Sequence, residues 1–103
     1  MPKKKPQEQK PFADRFPTRE SKILVVLADN VRELRKECQL SQDSLADITE
    51  IQQTEVSKIE NRRANPTILT LARLADAFGI SVPALLEPEA TQKRKRRSAR
   101  GPS

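Results

Sequence analysis

The scarcity of glycine is the feature that most constrains how this chain can fold. Only two of its 103 residues are glycine. Glycine adopts left-handed backbone conformations at little cost, and sheet proteins with many tight turns depend on it. The scarcity therefore disfavours an all-β architecture and favours helices joined by few turns. The length is that of one small domain.

Helical periodicity begins at Lys22 and continues to Glu37. Apolar residues recur there at alternating intervals of three and four, which places them on one face of an amphipathic helix. The stripe consists of Leu24, Leu27, Val31, Leu34 and Cys38. Because the single cysteine completes this stripe, we predict that Cys38 is a buried structural thiol.

Capping and turn residues divide the following sequence into four further short helices. We predict a second helix after the N-cap Ser41, a third from about Gln53 to Asn61, a fourth from Ile68 to Phe78, and a fifth from Val82 to Leu86. Gly79 should end the fourth helix as a C′ glycine. The predicted inward residues are Leu45, Ala46, Ile48, Val56, Ile59, Ile68, Leu71, Leu74, Ala75 and Phe78.

Positive charge is concentrated at the two ends of the chain. Residues 1–22 carry a net charge of +4, residues 23–87 carry −3, and residues 88–103 carry +5. Both ends are too polar to offset their own ordering entropy by burying apolar surface. We therefore expect a disordered basic arm (1–21) and a disordered basic tail (88–103) around a folded domain (22–87).

The residue types that most catalytic and metal sites require are scarce. The chain has no histidine and one cysteine, so the commonest general base and the paired-cysteine zinc site are both excluded. It also lacks a glycine-rich phosphate loop and a nucleophile motif. We expect no enzyme activity, no cofactor and no metal. Its apolar runs are far shorter than the roughly 20 residues of a bilayer span, so we expect no membrane contact and a cytoplasmic location.

Four strings in the middle of the chain resemble a known family when they are taken in order. They are Leu40-Ser41-Gln42-x-x-Leu45-Ala46, Val56-Ser57-Lys58-Ile59-Glu60-Asn61, Asn65-Pro66-Thr67 and Leu71-Ala72-x-Leu74-Ala75-x-x-Phe78-Gly79-Ile80. Across about residues 28–87 the chain resembles the lambda-repressor/Cro-type, or XRE-like, helix-turn-helix family. The resemblance implies an all-α, five-helix DNA-binding domain in a bacterial, nucleoid-associated protein.

The resemblance also implies that the third helix enters the major groove of DNA. The implied base-reading residues are Gln53, Thr54, Ser57 and Lys58, and the implied phosphate contacts are Gln42, Asn61, Arg62 and Arg63. Their chemistry agrees, because a glutamine amide can bond adenine bidentately and arginine offers forked donors to phosphate. The alternative is that the third helix simply exposes a polar face.

Two family features concern structure instead of recognition. The family often pairs an arginine of the first helix with a glutamate of the third, and Arg35 and Glu60 fall at these positions. We predict that they form a structural ion pair. The family also has glycine at three turns, where this chain has Gln39, Glu50 and Arg62. Left-handed non-glycine residues cost roughly 1–2 kcal/mol, so either strain is accepted or the turns are reshaped.

Two classes of function follow. The first is a sequence-specific regulator of transcription that binds double-stranded DNA, such as a phage-type repressor or a restriction–modification controller, acting as a homodimer on a palindrome. The second is a protein-interaction module, such as an antitoxin or co-activator, and the acidic balance of the domain keeps it open. Candidate dimer contacts are Val82, Leu85 and Leu86. The alternative is that they belong to the core of their own monomer, as some of them must. The residues Ile23, Val25 and Val26 are a second candidate surface. The basic tail is an electrostatic arm, a localisation signal or a solubilising segment.

Overall fold

A computed structural model describes residues 21–99, which form helices joined by short turns. The helices are α1 (Lys22–Glu37), α2 (Gln42–Thr49), α3 (Gln53–Glu60), α4 (Ile68–Phe78), α5 (Val82–Leu85) and α6 (Ala90–Ala99). No strand occurs in this part of the chain. The all-α prediction is confirmed, and each of the five predicted helices begins at its predicted residue. Apart from Ser21, the predicted N-terminal arm lies outside the described residues.

Side-chain caps explain why three of these helices begin where they do. The hydroxyls of Ser41, Thr67 and Ser81 each accept a hydrogen bond from the backbone N–H three residues further on. These bonds satisfy donors that the first turn of a helix leaves unpaired. At the other end of α4, Gly79 adopts the left-handed conformation with φ 71°, as predicted for a C′ glycine.

The three turns in which the family has glycine keep their left-handed shape without it. Gln39, Glu50 and Arg62 each have φ 61°. The residue after each of them donates its N–H to the carbonyl five positions earlier, at distances of 3.0, 3.1 and 2.8 Å. This is the bond that closes a Schellman motif. Of the two alternatives left open by the sequence, the chain therefore accepts strain, and the turns are not reshaped.

The hydrophobic core surrounds α1, which packs against α3, α4, α5 and α6. Its largest fully buried side chains are Leu27, Val31, Leu34, Leu45, Val56, Ile59, Leu74, Phe78 and Leu85. Cys38 packs against this core but is only partly buried, which corrects the prediction of a buried thiol. It is the C-cap of α1 and lies one residue beyond the end of the helix.

Two apolar residues that we predicted to be buried are exposed. Ile68, the first residue of α4, is 75% exposed. Ile48 is 58% exposed because Thr49 occupies the inward position at the end of α2. The Thr49 hydroxyl donates to the carbonyl of Leu45 at 2.7 Å, which allows a polar residue to be buried there. No helix within residues 21–99 is long and apolar enough to cross a membrane.

The C-terminal segment differs from the prediction of a disordered tail. Helix α6 covers Ala90–Ala99, and the side chain of Ala90 is fully buried. Arg94 donates from Nε to the carbonyl of Phe78 at 2.9 Å, and its guanidinium lies 3.4 Å from Glu37. Lys95 lies 3.3 Å from the same carboxylate. These tertiary contacts offset the ordering entropy that the composition of the segment leaves uncompensated.

Asn30 of α1 fastens the start of α6. Its amide nitrogen donates to the carbonyls of Leu85 and Glu87, both at 2.7 Å. Its amide oxygen accepts from the N–H of Ala90 at 3.4 Å. Only 3% of Asn30 is exposed, so a buried polar side chain is fully satisfied here. The bond from Ala90 caps the first residue of α6 from another helix, and the two bonds from the amide nitrogen fasten the end of α5 and the turn that follows it.

Candidate nucleic-acid interface

Helix α3 presents its polar residues outward and its apolar residues to the core. Val56 and Ile59 are buried against the rest of the domain. Gln53, Thr54 and Lys58 are exposed, and Ser57 is partly buried. Because neighbouring members of this set are one or three residues apart along α3, helical geometry gathers them on one side of the helix. The structure thus brings together the four residues that we predicted to read bases.

The three candidate phosphate-binding residues at the end of α3 are also exposed. Asn61, Arg62 and Arg63 follow one another where α3 gives way to the turn. The left-handed conformation of Arg62 turns the chain at this point, and Asn61 donates from Nδ2 to the carbonyl of Ser57 at 2.9 Å. Two adjacent guanidinium groups next to the outward face of α3 suit contacts with phosphate oxygens.

Arg35 and Glu60 form a bidentate ion pair between α1 and α3. Arg35 donates from Nε to Oε2 of Glu60 at 2.6 Å and from Nη2 to Oε1 at 3.0 Å. The Arg35 side chain is 14% exposed and that of Glu60 is 3% exposed. The hydrogen bonds to Glu60 raise the pKa of the Arg35 guanidinium above its ordinary value, against the opposing effect of burial. Arg35 also donates to the carbonyl of Leu40 at 2.9 Å, which ties the pair to the turn before α2.

Gln42 connects this buried pair to the outward face of α3. Its Nε2 donates to Oε1 of Glu60 at 3.0 Å, and its Oε1 accepts from Nε2 of Gln53 at 2.8 Å. We predicted that Gln42 would touch a phosphate and support α3. The structure places it partly buried between the two other side chains, where it supports Gln53 directly.

The predicted dimer contacts on α5 do not form one exposed surface. Leu85 is 0% exposed and belongs to the core of its own domain, so the prediction that it is a dimer contact is wrong. It is buried because α1 and α6 both pack against α5. Val82 and Leu86 are partly buried and pack against the core. On the second candidate surface Ile23 is 51% exposed, and Val25 and Val26 are partly buried.

Sequence reasoning missed two contacts that shape this site. Arg32 donates from Nη2 to the backbone carbonyl of Glu60, at the end of α3. The bond from Gln42 to Glu60 joins residues 18 positions apart, and no local pattern announces it. The role of Asn30 could have been suspected from the sequence, since it is a polar residue beside the apolar stripe of α1.

Within residues 21–99 no three His, Cys, Asp or Glu side chains group as metal ligands would.

A family model described as "Helix-turn-helix" matches residues 31–85 of this chain. The control protein C.SmaI of Serratia marcescens is 43% identical over 64 residues, which are 62% of this chain and 76% of that protein. The HTH-type transcriptional regulator DdrOP3 of Deinococcus deserti is 39% identical over 61 residues, which cover 59% of this chain and 47% of that regulator.

Two solved structures share the fold. The restriction-modification controller protein C.AhdI from Aeromonas hydrophila superimposes with a TM-score of 0.57 and 31% identity, over 60% of this chain and 94% of that chain. The hypothetical transcription factor NHTF from Neisseria superimposes with a TM-score of 0.62 and 29% identity, over 94% of this chain and 95% of that chain.

Proposed function

The chain belongs to the helix-turn-helix DNA-binding family of the Cro/C1 type and is a transcriptional regulator, not an enzyme, and from this premise we propose that it reads a specific double-stranded DNA sequence through α3. In the proposed complex α3 lies in the major groove. Gln53, Thr54, Ser57 and Lys58 contact base edges there, while Gln42, Asn61, Arg62 and Arg63 contact the sugar–phosphate backbone.

The observation that carries this proposal is the anchored amide of Gln53. An exposed glutamine normally samples many rotamers, and ordering it on binding costs free energy. Here the 2.8 Å bond to Gln42 holds Gln53 in one position before DNA arrives. A preorganised amide at the start of α3 suits base readout, whereas a polar face without a function has no need of such support.

We further propose that the protein acts as a homodimer on a palindromic operator. Helix-turn-helix domains of this kind contact two half-sites about one helical turn apart, so operator symmetry mirrors protein symmetry. The exposed side chain of Ile23 and the partly exposed side chains of Val82 and Leu86 are the candidate contacts. The likeness to C.AhdI and C.SmaI supports a role as the controller protein of a restriction–modification locus.

Selection of binding sites from random duplex DNA tests the proposal. We expect the full-length protein to enrich one palindromic sequence. Gln53→Ala should flatten the preference at one base pair of each half-site. Gln92→Ala makes the same change at an exposed position on α6 and should leave the selected sequence unaltered. If no sequence is enriched and binding is only weak and sensitive to salt, the proposal is wrong.

The second function is that of a protein-interaction module with the same fold. Residues 23–87 carry a net charge of −3, which disfavours close approach to DNA. A protein with this second function should bind DNA without sequence preference. The same selection experiment therefore separates the two functions.

A further inference from the structure

A chain of hydrogen bonds runs from the buried end of the site to its exposed end. It begins at Glu60, which is 3% exposed, passes through Gln42 and ends on the exposed amide of Gln53. Gln53 and Glu60 are two helical turns apart on the same side of α3. Gln42, the first residue of α2, lies between them and joins them across the helix pair.

The chemistry of a carboxylate determines the direction of this chain. An ionised carboxylate only accepts hydrogen bonds, and Glu60 already accepts two from Arg35. Gln42 must therefore turn its NH2 group toward Glu60, which leaves its carbonyl oxygen for Gln53. Gln53 must in turn direct one N–H inward. The orientation of all three groups follows from the one group that has no donor.

We propose that Glu60 is a specificity-determining residue, which acts through Gln42 to set the direction in which the Gln53 amide faces the major groove. This inference rests on the proposed function. With one N–H of Gln53 bound to Gln42, its carbonyl oxygen and its second N–H remain for DNA. Adenine offers a matching donor at N6 and acceptor at N7, so Gln53 prefers an adenine. Glu60 touches no base and acts as a positioning residue.

Replacing the carboxylate by an amide of nearly the same shape should reverse the direction of these hydrogen bonds. Oε1 of Glu60 accepts from both Arg35 and Gln42, whereas Oε2 accepts the shorter 2.6 Å bond from Nε of Arg35. In Glu60→Gln we expect the single carbonyl oxygen to keep that shorter bond, because Arg35 only donates. The new NH2 group then takes the place of Oε1, so Arg35 loses one bond, and Gln42 turns its carbonyl toward the new group and its own NH2 toward Gln53. Gln53 must now accept through its oxygen and present its NH2 group to the groove. Two donors fit the N7 and O6 acceptors of guanine.

The test measures the base preference of the full-length protein on four duplexes that differ at one base pair. That base pair is the one at which Gln53→Ala flattens the preference. We expect the wild-type protein to favour adenine there. Glu60→Gln should change the ratio of adenine to guanine affinity by about tenfold or more toward guanine, within the discrimination that a bidentate contact gives. All titrations are made below the Tm of the least stable variant.

Two further variants separate orientation from simple loss of stability. Arg35→Lys weakens the ion pair but leaves the carboxylate as an acceptor, so it should lower Tm and leave the preference for adenine unchanged. Gln42→Ala removes the connecting residue. In that background Glu60→Gln should still lower Tm but should have no effect on the base preference.

The outcomes also distinguish this inference from the proposed function. If the wild-type protein prefers no base at any position, the proposed function fails and the inference fails with it. If the wild-type protein prefers adenine and Glu60→Gln does so equally, the inference alone is wrong. A uniform loss of affinity for all four duplexes would show that Glu60 is structural only and would also overturn it.

Discussion

Helix α1 is fastened to its neighbours by a polar clamp on each of two opposite sides. Arg35 reaches α3 through the ion pair with Glu60, and Asn30 reaches the junction of α5 and α6 through its amide. Helical geometry places Asn30 and Arg35 on nearly opposite sides of α1. The first clamp is charged and lies beside the candidate DNA surface. The second is neutral and lies behind it.

The two clamps differ in whether they bury a charge. Asn30 satisfies neutral backbone groups, which requires no ion to leave water. Glu60 is an ion at 3% exposure, and it is stable there only because Arg35 and Gln42 together supply three hydrogen bonds. A buried ion pair is costly to form and costly to break from one side. The costlier clamp lies where, as we propose, its carboxylate also orients the amide of Gln53.

The largest expected effect is the loss of the charged clamp. Glu60→Ala leaves Arg35 without its carboxylate, and breaking a buried pair from one side costs roughly 3–5 kcal/mol. We expect about 3 kcal/mol, since Arg35 keeps its bond to Leu40 and is 14% exposed. Urea denaturation measures the free energy of unfolding. Glu33→Ala, an exposed position on α1, is the control. A free energy of unfolding for Glu60→Ala equal to that of the wild-type protein would contradict a buried pair.

The next effect is the loss of the neutral clamp. Asn30→Ala removes three hydrogen bonds and leaves backbone groups near Leu85 unpaired, which should cost about 2 kcal/mol. Hydrogen exchange at the first residues of α6 should become faster while that of α3 changes little. Asn65→Ala, at an exposed position, serves as the matched control. Equal protection of α6 in both variants would refute the idea that Asn30 holds it.

The two sides should also differ in how they respond to salt when DNA is bound. Arg62→Gln and Arg63→Gln should each reduce the slope of log K against log salt by about one, as loss of a phosphate contact does. Lys95 lies on α6, on the other side of α1, where its ammonium group is 3.3 Å from Glu37. Because it is remote from α3, Lys95→Gln should leave the slope unchanged. An equal reduction by Lys95→Gln would favour the basic tail as an electrostatic arm that contacts DNA.

The smallest expected effect concerns the strained turns. Gln39→Gly should raise the free energy of unfolding by about 1 kcal/mol, because φ 61° is unfavourable for a residue with a Cβ atom. Gln39→Ala keeps the Cβ atom and should give no such gain. Arg62→Gly should also stabilise the fold, yet it should weaken DNA binding because it removes the proposed phosphate contact of Arg62. A Gln39→Gly protein no more stable than Gln39→Ala would show that the turn is unstrained.

Much of the structure of α2 to α5 could be predicted from the sequence, because the residues that begin and end these helices act on their near neighbours in the chain. The caps Ser41, Thr67 and Ser81 bond to residues three positions away, and Gly79 ends α4 through its own conformation. The same holds for the outward residues of α3, whose grouping follows from helical spacing alone. The placement of Arg35 opposite Glu60 was accessible only through the family resemblance, because 25 residues separate them.

The starts of five helices, the all-α class and the outward face of α3 were therefore predictable from the sequence, since these depend on interactions within one or two turns. The formation of α6, the burial of Leu85 and the connection of Glu60 to Gln53 through Gln42 depend on tertiary contacts. Asn30 and Ala90 are 60 residues apart. Contacts at such separations leave no local pattern, and they exist only after the core has brought the helices together.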